Sequence, residues 1–126
     1  MSNVKFSKSY QHFGETRVDV FIDTPVSSDK AMTEIFLQRS FCSGLWEICR
    51  EGVFRVNPKD LGDEDGIVWG YQILAGEFPK GIFPLKEAKR RVAEMDLTYR
   101  PGSQIRARGM DLVSREYLGK EALDYE

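Results

Sequence analysis

Two cysteines and one histidine are the side chains of this chain that could supply sulfur and imidazole ligands to a transition metal, or a thiol nucleophile with its base. Cys42 and Cys49 lie seven positions apart in the stretch FCSGLWEIC, and His12 is the only histidine in the sequence. Zinc sites use nitrogen and sulfur ligands and typically place paired cysteines at a C-x₂₋₄-C spacing. Because the chain has neither this spacing nor a second histidine, the sequence predicts no metal site and no cofactor.

The pattern around the two cysteines favours packing over chemistry. Apolar side chains recur there at the spacing of one helix face, which predicts a long helix over residues 28–51; this face comprises Ala31, Ile35, Cys42, Leu45 and Cys49. Two positions seven residues apart on a helix are separated by about 10.5 Å, too far for a disulfide bond or a shared metal ion. We therefore expect both thiols to be buried, inert and resistant to labelling, with Gly44 as a weak point of the helix. A cysteine nucleophile paired with His12 is the alternative.

Carboxylates are densest in the polar stretch between residues 57 and 66, which carries Asp60, Asp63, Glu64 and Asp65. The stretch DEDG is similar to part of a calcium-binding EF-hand loop. In that alignment Leu61 and Gln72 would occupy the first and twelfth places, where calcium binding needs carboxylates. The sequence therefore predicts a solvated loop that is available for partner contacts.

Catalytic motifs are missing from the sequence. It contains no G-x-S-x-G, no P-loop and no H-E-x-x-H. We therefore expect no catalytic residues and a protein that is not an enzyme. A small-ligand-binding domain or enzyme with Tyr71, Glu77 or His12 near a pocket is the alternative.

The composition is that of an ordinary globular protein. The chain has 126 residues, 41% hydrophobic and 30% charged, with a formal net charge of -2. It has no apolar run near the ~20 residues that cross a bilayer, and its first residues lack the apolar segment of a signal peptide. Two cysteines are also too few for a disulfide scaffold. We therefore expect a soluble, cytoplasmic protein with no membrane contact.

Charge is unevenly distributed along the chain. Residues 80–115 carry nine basic and four acidic side chains, whereas residues 116–126 carry one basic and four acidic. The basic residues that form a candidate anion-binding face over 86–108 are Lys86, Lys89, Arg90, Arg91, Arg100, Arg106 and Arg108. A face of this kind could neutralise several phosphates, so nucleic-acid binding is a second hypothesis for function.

Periodicity and turn signals predict strands in VKFSKSY, TRVDVFIDTP, VFRV, IVWGYQILAG and around Ile105–Ala107. Besides the long helix, a second one is expected after Pro84, on a narrow apolar stripe from Leu85 to Met95. The order suggests a two-layer α+β fold, an antiparallel sheet with two helices, similar to the ferredoxin-like βαββαβ pattern with an extra N-terminal strand. We expect one domain over 1–115 and a partly flexible acidic tail over 116–126. The conformation after Gly109 is left open between helix and extended arm.

Aromatic residues add two expectations. Trp69 and Tyr71 share a predicted strand face with Ile67 and Ile73, which predicts that they are core residues. Phe78 and Phe83 each precede a proline in a predicted loop, where they are either exposed anchors for a partner or plugs at the end of the core.

The leading hypothesis is a small non-enzymatic interaction or regulatory protein that acts by binding a protein partner. Accessory or inhibitor proteins of phages and mobile elements fit this description. The predicted partner-contact residues are Asp60, Asp63, Glu64, Asp65, Phe78, Phe83, Lys86, Lys89, Arg90, Arg91, Arg100, Arg106 and Arg108. The oligomeric state is left open, since an edge strand at residues 3–10 or 104–108 could pair with a second copy.

Overall fold

Antiparallel strands dominate the protein. The computed structural model describes residues 4–22, 34–62, 65–77 and 80–119. Of these residues 53% are in strands and 14% in helices, arranged as eight strands and two helices. The predicted two-layer α+β fold of ferredoxin-like type is therefore wrong, and the chain is closer to an all-β protein.

The elements follow one another with short connections. The strands are β1 (Val4–Phe6), β2 (Tyr10–His12), β3 (Glu15–Ile22), β4 (Ile35–Arg39), β5 (Trp46–Val56), β6 (Ile67–Ala75), β7 (Gln104–Ala107) and β8 (Met110–Gly119). The helices are α1 (Pro58–Leu61) and α2 (Leu85–Glu94). The strands predicted in TRVDVFIDTP, in IVWGYQILAG and around Ile105–Ala107 are confirmed, as is the helix after Pro84. The single strand predicted in VKFSKSY is interrupted at residues 7–9, between β1 and β2, and VFRV is the end of the longer strand β5. The segment after Gly109, left open between helix and extended arm, is β8.

The long helix predicted over residues 28–51 is the main error. Residues 34–51 form β4, a turn and the first part of β5, and residues 28–33 lie outside the described residues. The three consecutive residues Ile35, Phe36 and Leu37 are all buried. A strand buried on both faces has a continuous apolar run instead of an alternating one, so its pattern resembles a buried helix. The residue that marks the break is Gly44, whose φ of 70° belongs to a turn.

The chain divides into two compact units. The first comprises Met1–Cys49 and Ile73–Leu97, and the second comprises Arg50–Gln72 and Thr98–Glu126. Strands β5 and β6 contribute residues to both units. Residues 116–119 of the predicted acidic tail are the end of β8, and residues 120–126 lie outside the described residues.

The first unit packs α2 onto one face of a sheet. β3 pairs with β1 and β2 on one side and with β4 on the other, all antiparallel. The core of this unit comprises Val18, Val20, Ile35, Leu37, Trp46, Ile48, Phe83, Ala88 and Val92. Trp46 forms a backbone bridge with Phe83, and a Cβ on Gly81 would fall 2.6 Å from the Trp46 nitrogen. Glycine at position 81 is what allows the segment before α2 to approach β5 so closely.

The second unit is a small ring of strands. The sheet order runs β5-β6-β7-β8, and an additional pairing of β5 with β8 closes it. The interior comprises Phe54, Val56, Val68, Ile105, Ala107 and Leu112. The Tyr117 hydroxyl donates a hydrogen bond to the Glu51 carbonyl at 2.7 Å and its ring packs on Phe54. Closing the ring leaves fewer unpaired strand edges in this unit.

Candidate interaction surface

A fully exposed phenylalanine sits at the tip of the β2–β3 hairpin. His12 pairs with Glu15, so Phe13 and Gly14 form a two-residue turn, with φ of 49° and 83°. Positive φ at both positions defines a type I′ turn, whose first position normally holds Asn, Asp or Gly because bulky residues are strained there. Phe13 is 96% exposed, although its ring edge contacts the His12 ring. This side chain therefore adds strain to the turn and contributes no core packing.

The β4–β5 hairpin ends in a second exposed aromatic. The Ser40 N–H donates to the Leu45 carbonyl at 2.8 Å, and the Gly44 N–H donates to the Ser40 carbonyl at 2.9 Å. These bonds close a tight loop over residues 41–44 that holds Phe41 outward, 99% exposed. Cys42, the next residue, is exposed as well.

The register of β3 and β4 puts both tips at the same end of the sheet. Arg17, near the start of β3, lies opposite Gln38, near the end of β4. The turn before β3 and the turn after β4 therefore leave the sheet on the same side, on neighbouring hairpins. With strands about 4.8 Å apart, the centres of the two hairpins are about 10 Å apart. We call Phe13, Phe41 and Cys42 the hairpin-tip surface.

Behind the hairpin tips, a row of buried polar side chains crosses β3, β4 and β5. Arg17 donates from Nε to Gln38 Oε1 at 3.1 Å, and Gln38 donates from Nε2 to Glu47 Oε1 at 3.2 Å. The Arg17 guanidinium also lies 4.0 Å from the centre of the Phe36 ring. All of these side chains are buried, and within the described part of the chain Glu47 Oε2 has no hydrogen-bond partner.

This environment makes Glu47 a titratable group near neutral pH. Burial raises the pKa of Glu47 from its ordinary value of 4.5 to about 7. The hydrogen bonds from Gln38 and Cys49 act in the opposite direction, and the negative charge of Glu15 adds to the increase in pKa. Glu47 is therefore roughly half protonated at neutral pH.

The two cysteines differ in exposure. Cys49 is buried on β5, as expected, but Cys42 is exposed, so the prediction that both are buried is wrong. The reason is that Cys42 lies in a hairpin turn and not on the seam of a helix. Across residues 4–22, 34–62, 65–77 and 80–119, no group of three or more His, Cys, Asp or Glu side chains could hold a metal ion.

The basic residues predicted on α2 belong to the first unit and are partly neutralised. Arg90 bonds to Glu87 at 2.5 Å and to Glu94 at 2.9 Å, and Arg91 bonds to Glu87 at 3.0 Å. The hydrogen bond from Arg90 is the main reason why the pKa of Glu87 is lowered. Lys86 is exposed, while the Lys89 ammonium lies 5.2 Å from the centre of the Phe6 ring. Acidic and basic side chains are therefore interspersed on the surface of α2, and this surface is not uniformly positive.

The other predicted contact residues are distributed elsewhere. Phe83 is 7% exposed and lies in the core of the first unit, which is the second of the two alternatives for it. Asp60 and Asp65 are exposed in the second unit, which also contains the arginines at positions 100, 106 and 108. Asp63, Glu64 and Phe78 lie outside the described residues.

Among the described residues, three exposed aromatic residues are missing from the predicted contact set. Phe13 and Phe41 were not singled out, and Trp69, expected in the core, is 41% exposed. A signal for Phe13 is the dipeptide Phe-Gly between two alternating stretches, which places a bulky residue in a turn. The sequence gives no comparable turn signal at Phe41, because apolar residues lie on either side of the turn.

Comparison of the chain with protein-family models, curated proteins and solved structures finds no match. In the part of the chain that the structure describes, neither helix has the length and apolar character needed to cross a membrane.

Proposed function

We propose that this chain is a small non-enzymatic interaction or regulatory protein that binds a protein partner through the hairpin-tip surface. The observation that carries the proposal is the pair of phenylalanines, 96% and 99% exposed, at the same end of one sheet. Burying an exposed aromatic side chain releases about 1.5–3 kcal/mol, and aromatic anchors dominate many protein interfaces.

The geometry favours a partner with an apolar cleft. Each phenylalanine projects from a short turn that is tied to paired strands, so little conformational freedom is lost when it is buried. The charged neighbours of the tips, Glu15 and Arg39, are both exposed and have opposite signs. A nearly neutral rim around apolar anchors suits a protein pocket better than an anionic surface.

A partner that bound both hairpin tips in a cleft could bind no other molecule there. The protein would then regulate its partner by blocking this cleft, as an inhibitor or accessory protein does. We place this activity in the cytoplasm, because Cys42 and Cys49 form no disulfide bond and Cys42 is exposed, which suits a reducing compartment. The exposed acidic residues Asp60 and Asp65 remain predicted contacts with the partner.

The test has two steps. A partner is first captured quantitatively from host lysate, and its binding is then measured with the purified partner. Wild type is compared with the double variant Phe13→Asn/Phe41→Ser and with Ile82→Ser, a control that removes a different exposed apolar side chain of the same unit. We expect wild type and Ile82→Ser to retain a partner that the double variant loses. Equal capture by all three proteins would contradict the proposal.

A crosslink can locate the partner directly. Because Cys42 is exposed and Cys49 is buried, a photoactivatable maleimide will attach next to Phe41 alone. The captured partner should crosslink to this position and lose the crosslink in the double variant. A partner that binds but never crosslinks from Cys42 occupies a different surface.

A further inference from the structure

One sheet face of the second unit carries aromatic and basic side chains together. Val68 on β6 and Ile105 on β7 point into the core of this unit, so the residues that alternate with them point outward. Tyr71 lies directly opposite Arg106 in the β6–β7 register. Trp69, two residues before Tyr71, is on the same outward face and is 41% exposed.

The β7–β8 turn begins close to Trp69. A Cβ on Gly70 would fall 2.9 Å from the Ala107 Cβ, and Trp69 and Arg108 are the chain neighbours of these two residues. Arg108 and Gly109 form a two-residue turn between the paired residues Ala107 and Met110, with φ of 53° and 73°. This is again a type I′ turn, and an arginine occupies the position that normally holds Asn, Asp or Gly.

A glycine holds the two strands close together at this point. A Cβ on Gly70 would fall 2.7 Å from the Arg106 carbonyl oxygen and 2.9 Å from the Ala107 Cβ. Gly70 lies between Trp69 and Tyr71, so the absence of a side chain there lets β7 approach the strand that carries both rings. We call Trp69, Tyr71, Arg106 and Arg108 the aromatic–arginine face.

We propose that the aromatic–arginine face binds single-stranded nucleic acid, with bases stacked on Trp69 and Tyr71 and phosphates bound by Arg106 and Arg108. Proteins that bind single strands combine a positive surface along the backbone with aromatic side chains on which unpaired bases stack. The planar guanidinium group of arginine matches phosphate with two parallel hydrogen bonds.

The charge of this face favours a polyanion over an apolar protein pocket. Arg106 makes a 3.3 Å ion pair with Asp111, which is the carboxylate opposite it on β8. The pair is exposed and long, so its contribution to stability is small and a phosphate can replace the carboxylate. Arg108 is exposed at the turn and adds a further positive charge.

The specificity for single strands comes from the two rings. A duplex keeps its bases stacked inside the helix, so it can contact the arginines but not cover Trp69 and Tyr71. Single-stranded DNA and RNA should therefore bind more tightly than a duplex of the same length. Inorganic polyphosphate, which has charge but no bases, should bind more weakly than either.

Fluorescence anisotropy of the full chain with labelled oligonucleotides of about 15 nucleotides tests the inference. The probes are oligo-dT, oligo-rU and a duplex, each titrated at about 50 and 200 mM salt, with polyphosphate as competitor. We expect single strands to bind, with an affinity that falls as the salt concentration rises. No binding of single strands at protein concentrations up to about 100 μM at the lower salt would overturn the inference.

Variants separate stacking from charge. Trp69→Ala should weaken binding about tenfold, and Trp69→Phe should restore most of it, because phenylalanine also offers a ring. Arg108→Asn suits the turn, so it leaves the fold intact while lowering the salt dependence by about 0.7 in the log–log slope. The control is Arg55→Gln, which removes an exposed arginine of the same unit that is paired with Glu116. Unchanged affinity in both Trp69→Ala and Arg108→Asn would overturn the inference.

Tryptophan fluorescence gives a readout at the proposed site itself. The chain has two tryptophans, Trp46, which is buried in the first unit, and Trp69, which is exposed in the second. Stacking of a base should quench Trp69, and the quenching should disappear in Trp69→Phe while binding persists. Binding without quenching, or a duplex that binds as tightly as a single strand, would contradict base stacking.

This inference is independent of the proposed protein partner. The Phe13→Asn/Phe41→Ser variant should bind oligonucleotides like wild type, because those residues lie in the first unit. Loss of oligonucleotide binding in that double variant would place the nucleic-acid site on the hairpin-tip surface instead and overturn the assignment to the aromatic–arginine face.

Discussion

The turns Phe13–Gly14 and Arg108–Gly109 have the same backbone conformation and different side chains. Both connect two antiparallel strands through two residues with positive φ. The turn requires glycine at its second position and disfavours a bulky residue at its first. Since neither Phe13 nor Arg108 helps its turn to form, both side chains are better explained by what they present to the surface.

The surroundings of the two turns point to different partners. Phe13 lies next to a second apolar tip, Phe41, with a rim of mixed charge. Arg108 lies in the turn that directly follows β7, and the outward face of β6 and β7 carries Trp69 and Arg106. The first arrangement suits an apolar cleft and the second suits an anionic chain with flat bases. In the two proposals, the same backbone turn presents a phenylalanine to one kind of partner and an arginine to the other.

The largest effect on the free energy of unfolding should come from replacing an aromatic ring in the core. The comparison is with the replacement of an exposed ring. Phe54→Ala in the second unit should lower the free energy of unfolding by about 3–5 kcal/mol, because it opens a cavity among buried side chains. Phe41→Ala, which removes a ring that is 99% exposed, should change it by less than about 0.5 kcal/mol. Denaturant titrations of both variants give the comparison. A large loss in Phe41→Ala would mean that this ring serves the fold.

The next largest effect concerns the buried polar row of the first unit. Glu47 has a pKa of about 7 in the folded protein and 4.5 ordinarily, so between these values the folded state holds a proton that the unfolded chain has released. The free energy of unfolding should therefore fall as the pH rises from 4.5 to 7.

Glu47→Gln removes this titration. The variant should be about 2–3 kcal/mol more stable than wild type at pH 8, because it has no buried charge, and nearly equal to wild type at low pH. Thermal unfolding of both proteins across this pH range is the measurement. Parallel pH profiles for variant and wild type would show that Glu47 is not the responsible group.

A smaller effect tests whether the two turns are equivalent. Phe13→Asn and Arg108→Asn should each raise the free energy of unfolding by up to about 1 kcal/mol, because asparagine adopts positive φ with less strain. Valine at either position should lower it, since a β-branched side chain clashes in this conformation. Denaturant titration of the four variants is sufficient. If stability changed in opposite directions at the two sites, the two turns would not be equivalent.

The smallest effect on stability is expected for the replacement of the exposed cysteine, and the two thiols should differ in reactivity. One equivalent of an aromatic disulfide reagent should react quickly with the native protein at Cys42, and a second only after unfolding exposes Cys49. Cys42→Ser should leave stability unchanged and abolish the fast phase. Two fast equivalents in the native protein would mean that β5 opens readily.

Much of the fold could be predicted where one face of an element is buried and the other is not. The alternation in IVWGYQILA predicts β6, and Pro84 followed by the stripe from Leu85 predicts α2; both are confirmed. The hairpin of β4 and β5 was mistaken for a helix because Ile35, Phe36 and Leu37 are buried on both sides of a strand. Such a run has no period that distinguishes helix from strand.

The candidate surfaces were harder to predict because exposure depends on neighbours that are distant in sequence. The sequence shows the basic residues from Lys86 onward as a charge excess, but the fold divides them among α2, the segment that contains Arg100 and the β7–β8 hairpin. Phe83 is buried in the core of the first unit, whereas Trp69 is exposed although it shares a strand face with Ile67 and Ile73. Periodicity predicts that a strand has two faces, not which of them the rest of the chain covers.

Signals that act within a few residues set many of the local conformations, although not that of residues 34–51. Alternating apolar residues and prolines at element boundaries are enough to predict β3, β6, β7 and the helix α2. The pairing of β5 with β8 and the burial of Glu47 depend instead on the tertiary structure. The position of Phe13 and Phe41 at the same end of one sheet depends on it as well. These outcomes depend on strand register between distant segments, and register is set by the joint burial of many side chains.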